Sequence, residues 1–357
     1  MNNLLLAPKK MRLTNIESLR IVAMFFVLIL HANNLSLGTY TTAEYHSAPI
    51  PTITRMLFEQ TAICAVNLFV LISGWFGIRT KGESTVSLIF QYIFFSALLL
   101  IIPGCLSINS PSELLSPIKK LCGLNYFWFL SAYLMLLFLA PCLNAFIEKT
   151  DKRTLRLWII VFYLFQTIWG WILGDAANQM FKAGYCGTSF IGLYLLARYV
   201  HLYHPLPFQQ RAHVQYLAAL SFILIPGIIE AFSAFFMGGV VSDIWRSRTL
   251  FYTAPHVVLC ALFILTATAR LRFTNLFVNR IAASAFAVYL FPLHPCVFPY
   301  FKQAAQWLYG HYSGAVFLLL TFGFLVTVFA AAVLIDQVRL LCWRSLARRF
   351  FTGRMKA

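Results

Sequence analysis

Charged residues are scarce in this sequence of 357 residues. Asp and Glu number only 11, and charged residues make up 11% of the chain, whereas a water-soluble domain keeps about a quarter of its residues charged. Hydrophobic residues reach 60% and aromatic residues 17%. The composition therefore excludes a water-soluble globular fold and indicates that lipid replaces much of the solvent around the chain.

Signatures of several enzyme and metal-binding classes are also missing. The eight cysteines form no CxxC pair and no Cys/His zinc spacing, so we predict no metal site and interpret the thiols as small core side chains. The chain contains no GxSxG, P-loop, GxGxxG or HExxH motif. Although the net charge is +17, the basic residues fall in short clusters between apolar runs, which argues against nucleic acid as a partner.

Long apolar runs dominate what remains. Segments of about 20 apolar residues cross a bilayer as helices, and ten such segments occur, at residues 16–38, 60–79, 86–105, 124–146, 155–174, 186–201, 214–235, 249–269, 281–302 and 313–338. The polar loops are short, so residues 1–357 are interpreted as one transmembrane domain, with 15 N-terminal residues and residues 341–357 as cytoplasmic tails. We predict an all-α, polytopic integral membrane protein of the inner (plasma) membrane, with about ten transmembrane helices.

Basic residues differ between alternate loops. Of the 28 lysines and arginines, twenty lie in the loops and tails of one side, including Arg339 at the start of the C-terminal tail. Seven lie in the alternate loops, including Arg55, and Arg20 lies inside the first predicted helix. The richer side is cytoplasmic by the positive-inside rule. Because the number of predicted spans is even, both termini are predicted to be cytoplasmic.

Polar residues recur on one face of the first predicted helix, ESLRIVAMFFVLILHANN at residues 17–34. At 100° per residue this face carries Glu17, Arg20, Met24, Val27, His31 and Asn34. Arg20 and His31 align to within about 20° and lie about 16 Å apart along the helix axis. Taken singly, Glu17 and Arg20 would pair at the membrane interface, and His31 would bond a neighbouring helix. Taken together on one face, the three predict a functional site.

Four segments resemble one known family. Arg20 and His31, with ten residues between them, resemble the hallmark of the acyltransferase-3 family of integral membrane acyltransferases. AVNLFVLISGWF at 65–76 resembles the family's second-helix segment, YFWFLSAYLMLLFLAPCLN at 126–144 its Trp-Phe-Leu helix, and AFAVYLFPLHP at 285–295 its late Tyr and His segment. The matches occur in order over most of the chain, and the resemblance implies an acyltransferase.

The resemblance implies that His31 and Arg20 are catalytic. Transfer of an acyl group from a thioester to an alcohol needs a base for the hydroxyl proton and a polar environment for the oxyanion. A neutral imidazole at His31 supplies the base. Arg20, Arg79 and Lys81 lie near the predicted cytoplasmic surface and are candidates to bind the phosphates of acyl-coenzyme A. Acyl-coenzyme A, with acetyl as the expected acyl group, is then a co-substrate, and no permanently bound cofactor is predicted.

The resemblance also implies an acceptor on the outer side, a hydroxyl of a surface polysaccharide or a lipid-linked glycan, and thus O-acetylation in polysaccharide biosynthesis. Candidate substrate-binding residues are Asn34, Trp128, Tyr289 and His294. Trp128 is suited to stack on a sugar ring, or alternatively to join an interfacial aromatic belt. Glu230, near the predicted outer face, is interpreted as a loop or cap residue, with a place in the acceptor cavity as the alternative.

Two other functions fit the same composition. A multi-pass transporter or flippase would need similar spans and buried charges, but its usual paired halves are not found. A polysaccharide-export subunit without acyltransferase activity is the second alternative. The choice between acetyl and succinyl, an acyl-histidine intermediate, the identity of the acceptor and the oligomeric state stay open.

The charge asymmetry generates a first prediction, that both termini are cytoplasmic. A single cysteine introduced at Ala357 in a cysteine-free background should be protected from a membrane-impermeant maleimide in intact cells. It should react after permeabilisation. A cysteine at Lys182, in a predicted outer loop, serves as the control that reacts without permeabilisation. Labelling of residue 357 from outside would reverse the orientation of the Arg20–His31 face.

Overall fold

The apolar runs of the sequence form helices. A computed structural model describes residues 13–79, 82–107, 118–119, 121–122, 127–174, 180–237 and 239–351, and these described ranges contain no β-strand. The predicted all-α class is therefore confirmed for the described part of the chain. Lys81, residues 1–12 of the predicted N-terminal tail and residues 352–357 of the predicted C-terminal tail lie outside the described residues.

Fifteen α-helices are numbered here in chain order within the described ranges. They are α1 Thr14–Leu30, α2 Thr42–Ser47, α3 Pro49–Ala62, α4 Ala65–Phe76, α5 Gly82–Ser107, α6 Trp128–Lys149, α7 Lys152–Phe165, α8 Gly187–Tyr203, α9 Ala212–Phe236, α10 Gly239–Thr249, α11 Pro255–Ala269, α12 Leu276–Ala282, α13 Ala285–Leu293, α14 Phe298–His311 and α15 Gly314–Phe351. Helix α1 continues into a π-helical turn, His31–Leu35, and α7 into a second one, Gln166–Ile172.

Seven helical segments of the described chain are long and apolar enough to cross a membrane. They are Thr14–Leu35, Pro49–Phe76, Trp128–Lys149, Lys152–Ile172, Ala212–Phe236, Leu276–Leu293 and Gly314–Ala347. The other three predicted spans fall on α5, α8 and α11. The chain is therefore a multi-pass helical membrane protein, whereas the count of ten spans and the side of each terminus stay predictions.

Two predicted spans have different bounds in the structure. The second span starts at Pro49 rather than near residue 60, because proline is well placed in a first helical turn and the polar residues that follow it are buried by pairing. The predicted span 281–302 is divided between α13 and α14, which are separated at residues 294–297. Pro292 and Pro295 explain this division, since proline cannot donate the backbone hydrogen bond that continues a helix.

Helix α1 lies inside the bundle. It contacts six other helices, α3, α4, α11, α12, α13 and α15. Helix α4 in turn packs closely on α8 at Gly74, where an added Cβ would lie 2.7 Å from the carbonyl oxygen of Tyr194 and 2.9 Å from the Cβ of Ala197. A glycine is therefore required at this crossing, which explains one residue of the AVNLFVLISGWF segment at 65–76.

Two arginines that the topology analysis placed in a loop and a tail are buried. Arg55 lies inside α3 and is 2% exposed, and Arg339 lies inside α15 and is 3% exposed. Arg339 donates through Nε and Nη2 to the two carboxylate oxygens of Asp336, both at 2.8 Å, and Gln91 donates to the same carboxylate at 2.9 Å. The placement of Arg55 in a loop and of Arg339 in a tail was wrong, because both residues lie inside helices and their side chains have buried partners, as a charge inside the bilayer requires.

The buried pair on α15 generates a second prediction. Asp336→Asn should lower the free energy of unfolding by about 3 kcal/mol, because it leaves the guanidinium of Arg339 buried without its counter-ion. Asp243→Asn is the matched control, since Asp243 also pairs with an arginine three residues later but has a side chain 57% exposed. Asp243→Asn should lower the free energy of unfolding by less than about 1 kcal/mol. Denaturant unfolding of the purified protein in detergent, followed by circular dichroism, measures both; equal costs would contradict the prediction.

Candidate active site

A cavity of about 660 Å³ lies inside the bundle. One wall is a single face of α1, and the others come from α3, α4, α5, α6, α12, α13, α14 and the segments before α8 and α11. The lining residues of α1 are Arg20, Met24, Val27, Leu30, His31, Asn34 and Leu35 of its π-helical turn. The sequence had placed Arg20, Met24, Val27, His31 and Asn34 on one face, and the structure brings all five to this cavity.

His31 begins the π-helical turn and borders the cavity. Its backbone carbonyl accepts a hydrogen bond from the Ser36 hydroxyl at 2.7 Å, and its ring lies 6.1 Å from the ring of Tyr289, centre to centre. Its Nδ1 is buried and has no hydrogen-bond partner among the described residues. The alternative of a histidine bonded to a neighbouring helix therefore finds no support in the described part of the chain. Isolated π turns of this kind are rare and are frequent at functional sites.

Arg20 lines the cavity about three turns before His31. Its Nη1 donates to Oε1 of Glu17 at 2.9 Å, and its side chain is 33% exposed against 7% for Glu17. The predicted pairing of Glu17 with Arg20 is therefore present, and it coexists with a position at the cavity. A guanidinium has five N–H donors, so the contact with Glu17 leaves others for a ligand.

The predicted phosphate-binding residues are only partly brought together. Arg79 is exposed just beyond α4, lies outside the cavity lining, and makes no hydrogen bond or ion pair within the described ranges. It follows Gly77, whose φ of +72° turns the chain away from the helix end. Arg20 thus reaches the cavity and Arg79 does not, and Lys81 cannot be compared because it lies outside the described residues.

Of the predicted substrate-binding residues, Asn34, Trp128 and Tyr289 line the cavity. Trp128 stacks on Tyr252 at 5.9 Å between ring centres, with an interplanar angle of 25°. This inward stacking favours the cavity position over an aromatic belt facing lipid.

His294 is 1% exposed, lies outside the cavity lining, and accepts a hydrogen bond through Nδ1 from the backbone N–H of Cys296 at 3.2 Å.

Glu59 is a cavity residue that the sequence analysis did not identify. It lies on α3, is 2% exposed, and lines the cavity beyond His31. Its Oε2 accepts a hydrogen bond from Nδ2 of Asn33 at 2.6 Å, and Asn33 in turn accepts one from Nε of Arg55 at 3.0 Å. The predicted span began one residue later, so Glu59 was read as part of a loop. The available signal was the spacing of Arg55 and Glu59, four residues apart and thus on one helix face.

Glu230, the alternative acceptor residue, lies outside the cavity lining. It is fully buried, and its carboxylate accepts hydrogen bonds from Tyr45 at 3.2 Å, Gln60 at 2.9 Å and Thr249 at 3.0 Å. The interpretation as a loop or cap residue is wrong because Glu230 lies within α9 and joins it to α3 and to the short helix α2.

The cavity therefore has two chemically different ends. Arg20 supplies a cation at one end, and Glu59 supplies a carboxylate beside Asn33, about 20 Å further along α1. The imidazole of His31 borders the space between, and Ser73 of α4, within hydrogen-bond distance of the Tyr133 hydroxyl at 3.0 Å, lines it as well. Among the described residues no group of three His, Cys, Asp or Glu side chains is arranged to hold a metal ion.

Comparison with known proteins agrees with the segments quoted from the sequence. The profile of the acyltransferase-3 family, described as an acyltransferase domain, matches residues 13–336. The match includes α1, every helix that lines the cavity, and most of α15. No curated protein and no solved structure matches the chain.

Proposed function

Because the chain belongs to the acyltransferase-3 family, we propose that it is a membrane O-acyltransferase that uses acyl-coenzyme A. In this proposal the acyl group, expected to be acetyl, moves from the cytoplasmic thioester to a hydroxyl of a surface polysaccharide or lipid-linked glycan on the outer side. The enzyme acts as a multi-pass protein of the inner (plasma) membrane.

One observation carries the proposal: His31 presents an imidazole to a membrane-embedded cavity while its Nδ1 has no partner among the described residues. A buried polar atom without a partner is costly, so such atoms call for an explanation beyond packing. Proton transfer to and from a substrate is the explanation that also fits the family.

One base is sufficient for both proton transfers of the acyl-transfer reaction. The imidazole of His31 takes the proton of the acceptor hydroxyl as its oxygen attacks the thioester carbonyl carbon. Collapse of the tetrahedral oxyanion breaks the carbon–sulfur bond, and the imidazolium returns the proton to the leaving thiolate. The products are an ester and free coenzyme A, and neither an oxidant nor a metal is required. An acyl-histidine route would instead use the same imidazole as the nucleophile and need a second step to reach the ester.

The donor is proposed to enter from the Arg20 end. The free N–H donors of Arg20 suit the phosphates of coenzyme A, which a guanidinium binds through paired charge-assisted hydrogen bonds. Between Arg20 and His31 the wall of α1 is apolar, with Met24 and Val27, over about 16 Å. An extended thioester arm can follow this wall to His31, with Arg79 available at the surface for the distal phosphates.

The acceptor is proposed to bind beyond His31. Asn34 offers an amide to sugar hydroxyls, and Trp128 and Tyr289, which line the same cavity, offer aromatic rings to a sugar. His294 is assigned to the same substrate by the family resemblance, although its ring lies outside the cavity lining.

His31→Gln tests the catalytic assignment. Glutamine keeps a hydrogen-bonding side chain but cannot take a proton at neutral pH, so acyl transfer should fall by about 10² to 10⁴-fold. Alkali-labile acyl esters on the surface glycan of cells, and release of coenzyme A by the purified protein in lipid nanodiscs, measure the loss. Coenzyme A affinity should stay within twofold of the wild type, which shows that the protein remains folded.

His311→Gln is the matched control, because His311 is an exposed residue at the end of α14 and lies outside the cavity lining. It should leave both readouts unchanged. Normal surface acylation in His31→Gln cells would remove the catalytic role and favour the transporter or export-subunit alternative.

Arg20→Ala tests the donor end. Loss of a hydrogen bond to a charged group costs about 1.5 to 3 kcal/mol, so coenzyme A affinity should fall roughly 10- to 100-fold. The matched control is Arg280→Ala, since Arg280 is an exposed arginine of α12, assigned to the same membrane side but outside the cavity lining. Its affinity should match that of the wild type in isothermal titration. Unchanged affinity in Arg20→Ala would leave Arg20 as a structural partner of Glu17.

A further inference from the structure

Glu59, at the acceptor end of the cavity, has no part in the acyl transfer proposed above. Glu59 is held rigidly, because Asn33 donates to its carboxylate at 2.6 Å and also to the carbonyl oxygen of Arg55 at 3.0 Å. The guanidinium of Arg55 donates to Asn33 at 3.0 Å and to the carbonyl oxygen of Gly38 at 2.6 Å. The carboxyl group is thus fixed at the wall of an open space, on the opposite side of His31 from Arg20.

Three aromatic side chains, here called the aromatic wall, line the same cavity: Trp128, Tyr185 and Tyr252. Tyr185 lies 4.5 Å from Trp128 and 4.8 Å from Tyr252, ring centre to ring centre. Trp128 and Tyr252 are stacked at 5.9 Å. The three rings form a continuous aromatic surface.

The backbone fixes the aromatic wall in place. The N–H of Tyr252 donates to the carbonyl oxygen of Ala183 at 2.9 Å, and its own carbonyl oxygen accepts from Asn67 at 3.0 Å. Gly184 has a φ of +98°, and a Cβ there would lie 2.4 Å from the Cβ of Tyr252. Only glycine permits this close approach, so the turn before α8 is shaped to hold Tyr252 against the cavity.

The carboxylate and the aromatic wall belong to one environment. Glu59 and the three rings of the aromatic wall all line the cavity of about 660 Å³. Asn34 lines the cavity as well, and it follows Asn33, which donates to the Glu59 carboxylate.

We propose that Glu59 is the acceptor-binding residue of this enzyme and that, with the aromatic wall, it forms a saccharide subsite. The assignment rests on the proposed acyl transfer and specifies its acceptor end. Glu59 accepts hydrogen bonds from two or more hydroxyls of a sugar ring, whose apolar face lies on Trp128, Tyr185 and Tyr252. A further hydroxyl then points toward His31, which deprotonates it for attack on the thioester.

The chemistry favours a saccharide over the other ligand in the reaction. A carboxyl group pairs with hydroxyl groups of a sugar but supplies no cation for the phosphates of coenzyme A. Aromatic faces bury the C–H face of a sugar ring while leaving its hydroxyls free. A simple fatty alcohol would use the apolar wall but would have one hydroxyl for His31 and none for Glu59.

Glu59→Gln is the principal test, with Glu44→Gln as the matched control. Glu44 also lies beside the Arg55 guanidinium, at 3.5 Å, but it is outside the cavity lining. We expect alkali-labile acyl esters on the surface glycan to fall about tenfold or more in Glu59→Gln cells at matched protein level. Coenzyme A affinity of the purified variant should stay within twofold of the wild type. Glu44→Gln should leave both quantities unchanged.

A second variant tests the aromatic wall without changing Glu59, so its result does not depend on whether the Glu59→Gln protein folds. Tyr185 is 43% exposed, so its replacement should be tolerated. Tyr185→Leu should lower surface acyl esters severalfold without changing coenzyme A affinity, whereas Tyr185→Phe keeps the ring and should restore most of the activity. This split separates a lost acceptor contact from a general loss of structure.

The outcomes distinguish this assignment from the proposed function. If wild-type cells carry no more acyl ester than His31→Gln cells, the proposed acyl-transfer function is wrong. If the wild type transfers acyl groups and Glu59→Gln does so equally well, the saccharide subsite is wrong. A parallel loss in Glu44→Gln, or a fall in coenzyme A affinity in Glu59→Gln, would show that Glu59 only supports Arg55 or the donor end, and would likewise overturn the assignment.

Discussion

Pairing of buried polar groups is the constraint on which the structure depends. A lipid-embedded bundle has little water to solvate charges, so each charged side chain carried inside must meet a partner there. Arg339 meets both carboxylate oxygens of Asp336, and Arg55 meets Asn33 and a backbone carbonyl. The first pair lies within α15, and Gln91 joins that pair to α5. The second joins α3 to the π-helical turn that follows α1.

The π-helical turn at the end of α1 carries both residues that bind α3 and residues that line the cavity. Asn33 and Asn34 are adjacent in the π-helical turn, yet Asn33 ties α1 to α3 through Arg55 and Glu59 while Asn34 lines the cavity. His31, at the start of the same turn, is thereby placed by these contacts of its neighbours and by the Tyr289 ring beside its own. In the proposed reaction this placement leaves the imidazole unbonded to another helix, so its proton-accepting nitrogen is not occupied by a structural hydrogen bond.

The all-α class and the residues of α1 that line the cavity could be predicted from the sequence, because helical periodicity decides which side chains lie on one face of a helix. It was insufficient for Glu59, Arg55 and Arg339, because an apolar-run criterion excludes charged residues whose partners lie elsewhere in the chain. Pairs spaced three or four residues apart, such as Asp336 and Arg339, carried the missing local signal. The position of His294 could not be predicted either, since α13 ends at Leu293 and the chain leaves the helix between two prolines.

The two ends of the cavity are too far apart to neutralise each other. Arg20 and Glu59 are separated by about 20 Å along α1, and each has its own partner, Glu17 for Arg20 and Asn33 for Glu59. The cavity therefore has a guanidinium at one end and a carboxyl group at the other, with the imidazole of His31 between them. In the proposed reaction the phosphates of coenzyme A bind at the Arg20 end and the acceptor binds at the Glu59 end, so the two substrates reach His31 from opposite directions without competing for one subsite.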